Sequence, residues 1–102
     1  MDYVALLTFR DSSPSAERDG ALMRRAAWQY PAGIDVTAEW WPMTDGPHVV
    51  ILFSTDDPAA LMQLEFEWND VFDMQVAPAV TAEKGLEIGP EVFGRLARMQ
   101  PG

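Results

Sequence analysis

The chain has 102 residues, of which 48% are hydrophobic, 11% aromatic and 23% charged, so it is typical of one ordinary globular domain. Its seven Lys and Arg against sixteen Asp and Glu give a formal net charge of -9, and this field disfavours nucleic acid and anionic membranes as partners. Cysteine is absent, which excludes a disulfide framework, thiol catalysis and thiolate metal sites.

The first part of the chain predicts a strand, a helix and a second strand. Residues 2–10 form an almost continuous apolar run that is rich in Val, Tyr and Phe, as in a strand buried on both faces. Ser13 as N-cap and Pro14 at the first helical position predict a helix that runs to about Trp28. Its apolar side chains, which mostly share one stripe, are Ala16, Leu22, Met23, Ala26, Ala27 and Tyr30. Residues 34–41 alternate with apolar side chains at even positions, which predicts a strand with one polar face.

The middle of the chain predicts a second buried strand and a second helix. Residues 48–53 are again continuously apolar. Asp57 and the proline after it repeat the helix-start pattern, and this helix should end near Asn69. Its core stripe comprises Leu61, Leu64 and Trp68. Met62 and Phe66 lie on nearly the opposite side, so a surface other than the main core should cover them.

The last part of the chain predicts an edge strand and two short helical segments. Residues 71–77 alternate loosely before Pro78, and a proline limits pairing in a central strand. Thr81 can cap a short helix through Leu86, and Gly89-Pro90 can start another. The apolar side chains that share one side of that last segment are Val92, Phe93, Leu96 and Met99. This stripe is a natural partner for the apolar pair on the second helix, in the same chain or in another.

The order β-α-β-β-α-β with a C-terminal appendage is the pattern of a ferredoxin-like α+β sandwich with an antiparallel sheet. In that fold the first and third strands are central and the second and fourth are edges. The sequence agrees, because the first and third predicted strands are apolar throughout and the second and fourth alternate. Helices cover only one face of such a sheet, so the apolar second face of the central strands requires another cover. The simplest cover is the sheet of a second subunit. We therefore expect a homodimer, with residues 1–88 as the domain and residues 89–102 as a C-terminal helical tail.

Several segments carry a family resemblance, and these are residues 38–41, 56–60, 67–72 and 76–83. The most specific part is the Trp-Asn-Asp-Val helix end, followed by a strand that ends in Val-x-Pro-x-Val. The chain resembles, from residue 2 to about residue 88, the DUF3303 family of short prokaryotic domains of unknown function, which is assigned to the dimeric α+β barrel superfamily. The resemblance implies a homodimer whose two sheets face each other. Cofactor-independent quinol monooxygenases, muconolactone isomerases and haem-dependent proteins share this fold, which does not select among them, so no functional residue is carried over.

A few residues are candidates for a site. His48 is the only histidine, which excludes two-histidine metal centres, and it is the candidate catalytic residue for moving a proton. The alternative is a histidine at a strand start that is hydrogen-bonded or solvated. Tyr3, Trp40 and Trp41 are the candidate substrate-binding residues, because aromatic rings stack on planar ligands. Trp40 and Trp41 are adjacent on a strand and must point to opposite faces, and Trp41 is the better candidate for a cavity or a dimer contact. We expect no metal and no cofactor.

The predicted edge strands also carry carboxylates. Asp35, Glu39 and Asp73 should all lie on the sheet face away from the helices. Paired carboxylates shift one another's pKa and can hold a hard cation. Edge strands also carry charge simply to discourage aggregation, and opposite edges of one sheet are far apart unless a dimer brings them together. Ordinary edge charges are therefore favoured.

Two functions stay open at this point. The first is a homodimeric barrel protein that binds a small apolar or aromatic molecule, with cofactor-independent oxygenation of a quinol or an isomerisation as its chemistry if it is an enzyme. The second is a non-catalytic interaction module whose assembly contact comprises Met62, Phe66, Phe93, Leu96 and Met99. The cytoplasm is the default expectation, because the N-terminus lacks a basic segment followed by an apolar run and no run approaches about 18 apolar residues.

Overall fold

The computed structural model describes residues 1–10 and 15–100, with side chains in the first helix from residue 18 onward. Its elements are β1 (Asp2–Phe9), α1 (Ser15–Ala27), β2 (Asp35–Trp40), β3 (Val49–Ser54), α2 (Pro58–Trp68), β4 (Phe72–Pro78) and α3 (Ala82–Met99). The strands form one antiparallel sheet in the order β2-β3-β1-β4, so β1 and β3 are central as predicted. The fold is the predicted ferredoxin-like α+β sandwich with a C-terminal helix. Ser13 and Pro14, the predicted start of the first helix, lie outside the described residues.

The sheet has two faces that differ in burial. The helix-covered face contains the buried core side chains of the central strands, among them Ala5, Leu7, Ile51 and Phe53. The opposite face, which we call the open face, carries half-buried apolar side chains, and these are Val4, Leu6, Val50 and Leu52. The central strands are therefore apolar on both faces, as the sequence predicts, and the described helices bury only one of them.

The two helices on the covered face pack differently. α2 starts at the predicted N-cap Asp57, whose side-chain Oδ1 accepts from the backbone N–H of Ala59 at 2.9 Å, and its buried residues are Ala60, Leu64 and Trp68. In α1, among the described side chains, only Ala21 is buried. Leu22, Met23, Ala26 and Ala27 are exposed, so the predicted apolar stripe of this helix is not buried at these positions. The side chain of Ala16 is outside the described residues.

α3 is one continuous helix, so the prediction of two short segments is wrong. Pro90 lies inside the helix, where it removes a single backbone donor. An exposed helix tolerates this loss because water can bond the freed carbonyl. The predicted N-cap is confirmed, since the Thr81 hydroxyl accepts from the backbone N–H of Lys84 at 3.1 Å. The division of the chain at residue 88 falls within this helix and stays a prediction.

α3 projects away from the rest of the molecule. None of its residues is buried, and the molecule measures 63 × 30 × 19 Å. Its radius of gyration is 17.8 Å, whereas a compact chain of this length has about 13 Å. Among the described helices, none is long and apolar enough to cross a membrane.

Candidate functional site

A cavity of about 310 Å³ lies between α1 and the helix-covered face of the sheet. Six aromatic side chains contribute to its wall, and these are Phe9, Trp28, Tyr30, Trp41, Trp68 and Phe72. Aliphatic side chains of β1 and β3 form its floor, and these are Leu7, Val49 and Ile51. The polar groups of the wall come from Arg18, Asp19, Arg25, Glu39 and His48. The cavity is thus an apolar, ring-lined space with a small number of polar groups.

The cavity exists because α1 is attached to its neighbours by arginines rather than by large apolar side chains. Arg24 reaches the end of α2, where its Nη1 donates to the Glu67 carbonyl at 2.9 Å and its Nη2 to the Asp70 carboxylate at 2.9 Å. These bonds from Arg24 hold the pKa of Asp70 below its ordinary value. The Arg24 guanidinium also lies 4.7 Å from the ring centroid of Trp68. The small Ala21 side chain faces the sheet between these contacts, so space remains below it.

A half-buried polar cluster surrounds Glu39 at one end of the cavity. Arg25 holds this carboxylate with two nitrogens, Nη2 to Oε1 at 2.8 Å and Nε to Oε2 at 3.0 Å. The Tyr30 hydroxyl donates to the same Oε1, and the Trp41 indole N–H donates to Oε2 at 2.8 Å. The Glu39 side chain is only 13% exposed. One carboxylate therefore joins α1, the loop after it and β2.

Burial and hydrogen bonding act in opposite directions on Glu39. Burial alone would raise the pKa of its carboxyl, but the bonds from Arg25, Tyr30 and Trp41 favour the charged form and hold the pKa below the ordinary value. The same bond to Glu39 raises the pKa of Arg25. Burial, reinforced by the neighbouring carboxylate, raises the pKa of Tyr30. The cluster is consequently a stable ion pair with a neutral phenol at neutral pH.

A β-bulge places Glu39 in the cavity. Val36 pairs with Phe53, but the next paired residue on β2 is Ala38, which pairs with Leu52, so Thr37 is an extra residue. One extra residue moves every later side chain to the other face. Glu39 and Trp41 consequently face the helices, and the expectation that Glu39 lies on the face away from them is wrong.

The other two edge carboxylates stay on the open face. Asp35 lies on β2 and Asp73 on β4, at opposite edges of the sheet. Asp73 pairs with Arg10 at 2.9 Å. Among the side chains of residues 1–10 and 18–100, no three from His, Asp or Glu are grouped so that they could hold a metal ion. The single chain therefore does not bring the three predicted carboxylates together.

His48 lies in the cavity wall and belongs to the turn before β3. Gly46 in that turn has φ +157°, and a Cβ there would meet the Thr8 side chain at 3.1 Å, so the close approach of the turn to β1 requires glycine. The backbone N–H of His48 then donates to the Leu7 carbonyl at 2.8 Å. The ring Nδ1 accepts from the backbone N–H of Phe9 at 3.0 Å.

The structure brings together two of the four predicted site residues. His48 and Trp41 both line the cavity. Trp40 is 63% exposed and lies on the open face, opposite to its neighbour as predicted. Tyr3 stacks on Phe53 with the ring centroids 5.6 Å apart and does not line this cavity.

Sequence reasoning missed Arg25, Trp28 and Tyr30 as site residues. A usable signal was their spacing at the end of α1, where a guanidinium can reach rings three and five residues further on. The Arg25 guanidinium indeed lies 5.3 Å from the Trp28 ring centroid and 5.4 Å from that of Tyr30.

The fold and this cavity define a small ferredoxin-like α+β domain with a ring-lined space beneath its first helix. The chain belongs to the DUF3303 family, a domain of unknown function, which matches residues 1–93. This confirms the family that the sequence resembles, and the match extends past the expected end at residue 88 into α3. No curated protein matches the chain, and no solved structure does.

Proposed function

We propose that this protein binds a small, mostly apolar or aromatic molecule in the cavity beneath α1. The observation that carries the proposal is the combination of about 310 Å³ of space, a wall of aromatic rings and a fixed polar cluster at one end. Ligand pockets commonly enclose about 300–1,000 Å³ and combine apolar walls with a few placed polar groups. The volume lies at the small end of that range, so it suits a ligand of roughly one or two rings.

The chemistry that such a site favours is cofactor-independent oxygenation of a quinol or an isomerisation. His48 is the candidate catalytic residue at the wall, and Trp41 is a wall residue held in place by Glu39. The apolar wall supports this proposal, because electrostatic interactions with a reacting oxygen are stronger beside apolar groups than in bulk water.

The proposal includes a homodimer in which two open faces pack against each other. The open face carries Val4, Leu6, Val50 and Leu52, and Trp40 adds a large exposed indole at its β2 edge. A monomer would leave this apolar area in water. A second copy offers the same apolar surface and the self-complementarity that two-fold symmetry requires.

Native mass spectrometry on gently purified protein tests the binding and the dimer together. We expect a dimer, with a ligand mass retained from purification or taken up when isopropenylbenzene is added. Leu22→Trp should fill the cavity from α1 and abolish this uptake, because Leu22 lines the cavity. Met23→Trp is the matched control, since the neighbouring side chain is exposed and does not line it.

Two results would contradict the proposal. Equal uptake by the Leu22 and Met23 variants would show that the ligand is bound elsewhere. A monomer at all protein concentrations would refute the dimer, and Leu52→Lys in the middle of the open face is the variant that should produce such a monomer from a dimeric parent.

A second candidate function is assembly through α3, without catalysis. The observation that favours it is that α3 is amphipathic and unpacked, with Phe93 73% exposed. We propose a second copy as the occupant, with its outward α2 stripe of Met62 and Phe66 as the surface. Charge supports this choice, because α3 carries Arg95 and Arg98 in its last turns, whereas residues 26–82 contain nine carboxylates and no Lys or Arg.

Deletion of residues 89–102 tests the assembly function. We expect the truncated chain to form smaller assemblies than the full chain at the same concentration, as measured by native mass spectrometry and sedimentation. Phe93→Asp should give the same change, while Glu91→Gln on the charged side should not. A truncated chain with unaltered stoichiometry would show that the tail makes no assembly contact.

A further inference from the structure

His48 is fixed to β1 by two hydrogen bonds. Its backbone N–H donates to the Leu7 carbonyl, and its ring Nδ1 accepts from the backbone N–H of Phe9 at 3.0 Å. The Phe9 ring is packed beside the imidazole, with centroids 5.1 Å apart, and limits its rotation. The imidazole is therefore held in one orientation at the cavity wall.

The bond at Nδ1 decides which ring nitrogen carries the proton. A backbone N–H can only donate, so Nδ1 must offer its lone pair, and the neutral imidazole of His48 then carries its hydrogen at Nε2. Among the side chains of residues 1–10 and 18–100 and the described backbone, no group accepts a hydrogen bond from this Nε2. His48 thus presents an N–H donor without a protein partner in that part of the chain.

The other charged groups of the wall are two arginines and two carboxylates. Arg18 places a cation 4.8 Å from the Phe9 ring centroid. The Glu39 carboxylate, in contrast, already accepts from Arg25, Tyr30 and Trp41. Asp19 is a second carboxylate of the wall and is exposed. The interior of the cavity is therefore short of acceptors.

We propose that the ligand is an aromatic molecule with an acceptor oxygen, a carbonyl, carboxylate or phenolate, and that the His48 Nε2–H donates to this oxygen. This inference rests on the proposed function, because it specifies what occupies the cavity. His48 then stabilises negative charge on the ligand oxygen and does not act as the base. A base at Nε2 needs a free lone pair there, and that requires the proton to move to Nδ1 and the Phe9 bond to break.

The protonation of the ring can be measured without any ligand. His48 is the only histidine, so a ¹⁵N-labelled sample gives one pair of imidazole nitrogen signals. We expect the neutral ring to show a protonated Nε2 and an unprotonated Nδ1. The opposite tautomer, with the proton on Nδ1, would overturn the inference whatever the protein binds.

Matched probes test the contact with the ligand. Acetophenone and isopropenylbenzene have nearly the same shape, but only the first has an acceptor oxygen. His48→Asn keeps an oxygen that can accept from the Phe9 N–H and removes the donor at the Nε2 position. We expect this variant to weaken acetophenone binding about fivefold and to leave isopropenylbenzene binding unchanged. His48→Gln, whose amide reaches towards the Nε2 position, should recover part of the lost affinity.

The outcomes separate this inference from the proposed function. An equal loss for both probes, or no loss for either, would overturn the role of His48 as a donor while leaving the cavity as a binding site. Binding of neither probe to the wild-type protein would overturn the proposed function, and the ligand inference with it. Thermal unfolding of each variant shows whether a loss of binding reflects a loss of fold.

Discussion

α1 and α2 lie on the same face of one sheet and illustrate two ways of covering it. α2 places Leu64 and Trp68 in the core, with Leu64 completely buried. α1 buries Ala21 and is otherwise attached through Arg24 and Arg25 to carboxylates and aromatic rings. Apolar packing closes the half of the sheet under α2, whereas the ion pairs of α1 hold a helix at a distance and leave a cavity. The proposed function consequently assigns stability to α2 and binding to the cavity beneath α1.

The largest expected effect on the free energy of unfolding comes from shortening an apolar side chain of α2, compared with the same change on α1. Leu64→Ala should lower the free energy of unfolding by about 2–5 kcal/mol, because a fully buried side chain leaves a cavity behind. Leu22→Ala on α1 should change it by less than about 0.5 kcal/mol, as for most exposed positions. Urea unfolding of both variants gives the two values. Similar costs for the two helices would invalidate the contrast between them.

A smaller effect is expected from the polar attachment of α1. Glu39→Gln should lower the free energy of unfolding at neutral pH by about 1–3 kcal/mol, since bonds to a charged group are lost or weakened. Leu64→Ala should leave the near-ultraviolet signal of the cavity tryptophans native-like, while Glu39→Gln should alter it. Asp35→Asn on the exposed part of the same strand is the control and should have little effect on either measurement.

The contribution of Glu39 also depends on pH in a definite direction. Its folded pKa lies below its ordinary value of 4.5, so the folded chain binds this proton less readily than the unfolded chain does. The stabilisation is therefore fully present above that ordinary value and is lost as the pH falls through the lower folded value. The difference in unfolding free energy between wild type and Glu39→Gln should shrink over this acid range. A difference that is constant down to the lowest measurable pH would contradict this.

The smallest expected effect concerns the N-cap of α2. Asp57→Ala removes the acceptor for the Ala59 N–H and should cost about 1 kcal/mol. Because this cap stabilises the closely packed helix, ligand binding beneath α1 should not change. A calorimetric titration with isopropenylbenzene, compared with the urea midpoint, separates the two effects. Loss of binding without loss of stability would show that the two helices are coupled.

The parts of the fold that follow from local patterns were predictable from the sequence. Two continuous apolar runs identify the central strands, and Asp57 and Thr81 identify helix starts, because each depends only on neighbouring residues. The continuity of α3 through Pro90 was not predictable in this way. Gly-Pro is a typical break, and the exposed helix lacks the buried contacts by which a packing pattern would reveal its length.

The candidate site was predictable only in part. His48 and Trp41 follow from residue type, whereas Glu39 depends on the bulge at Thr37, which is set by pairing with β3 rather than by the β2 sequence. The prediction that the apolar stripe of α1 is buried was wrong. An amphipathic pattern shows which side chains share a face, but it does not show how far arginine contacts hold that helix from the sheet. The volume of a cavity depends on the distance between the elements that enclose it, and no local sequence pattern determines that distance.

The placement of the tryptophans gives the protein its own optical reporter. Of its four tryptophans, Trp28, Trp41 and Trp68 line the cavity, and Trp40 lies on the opposite side of the sheet. Replacement of Trp40 by phenylalanine would leave a chain in which every indole belongs to the cavity wall. Its tryptophan fluorescence would then change when a compound enters the cavity and displaces water, so occupancy could be followed in real time without a dye.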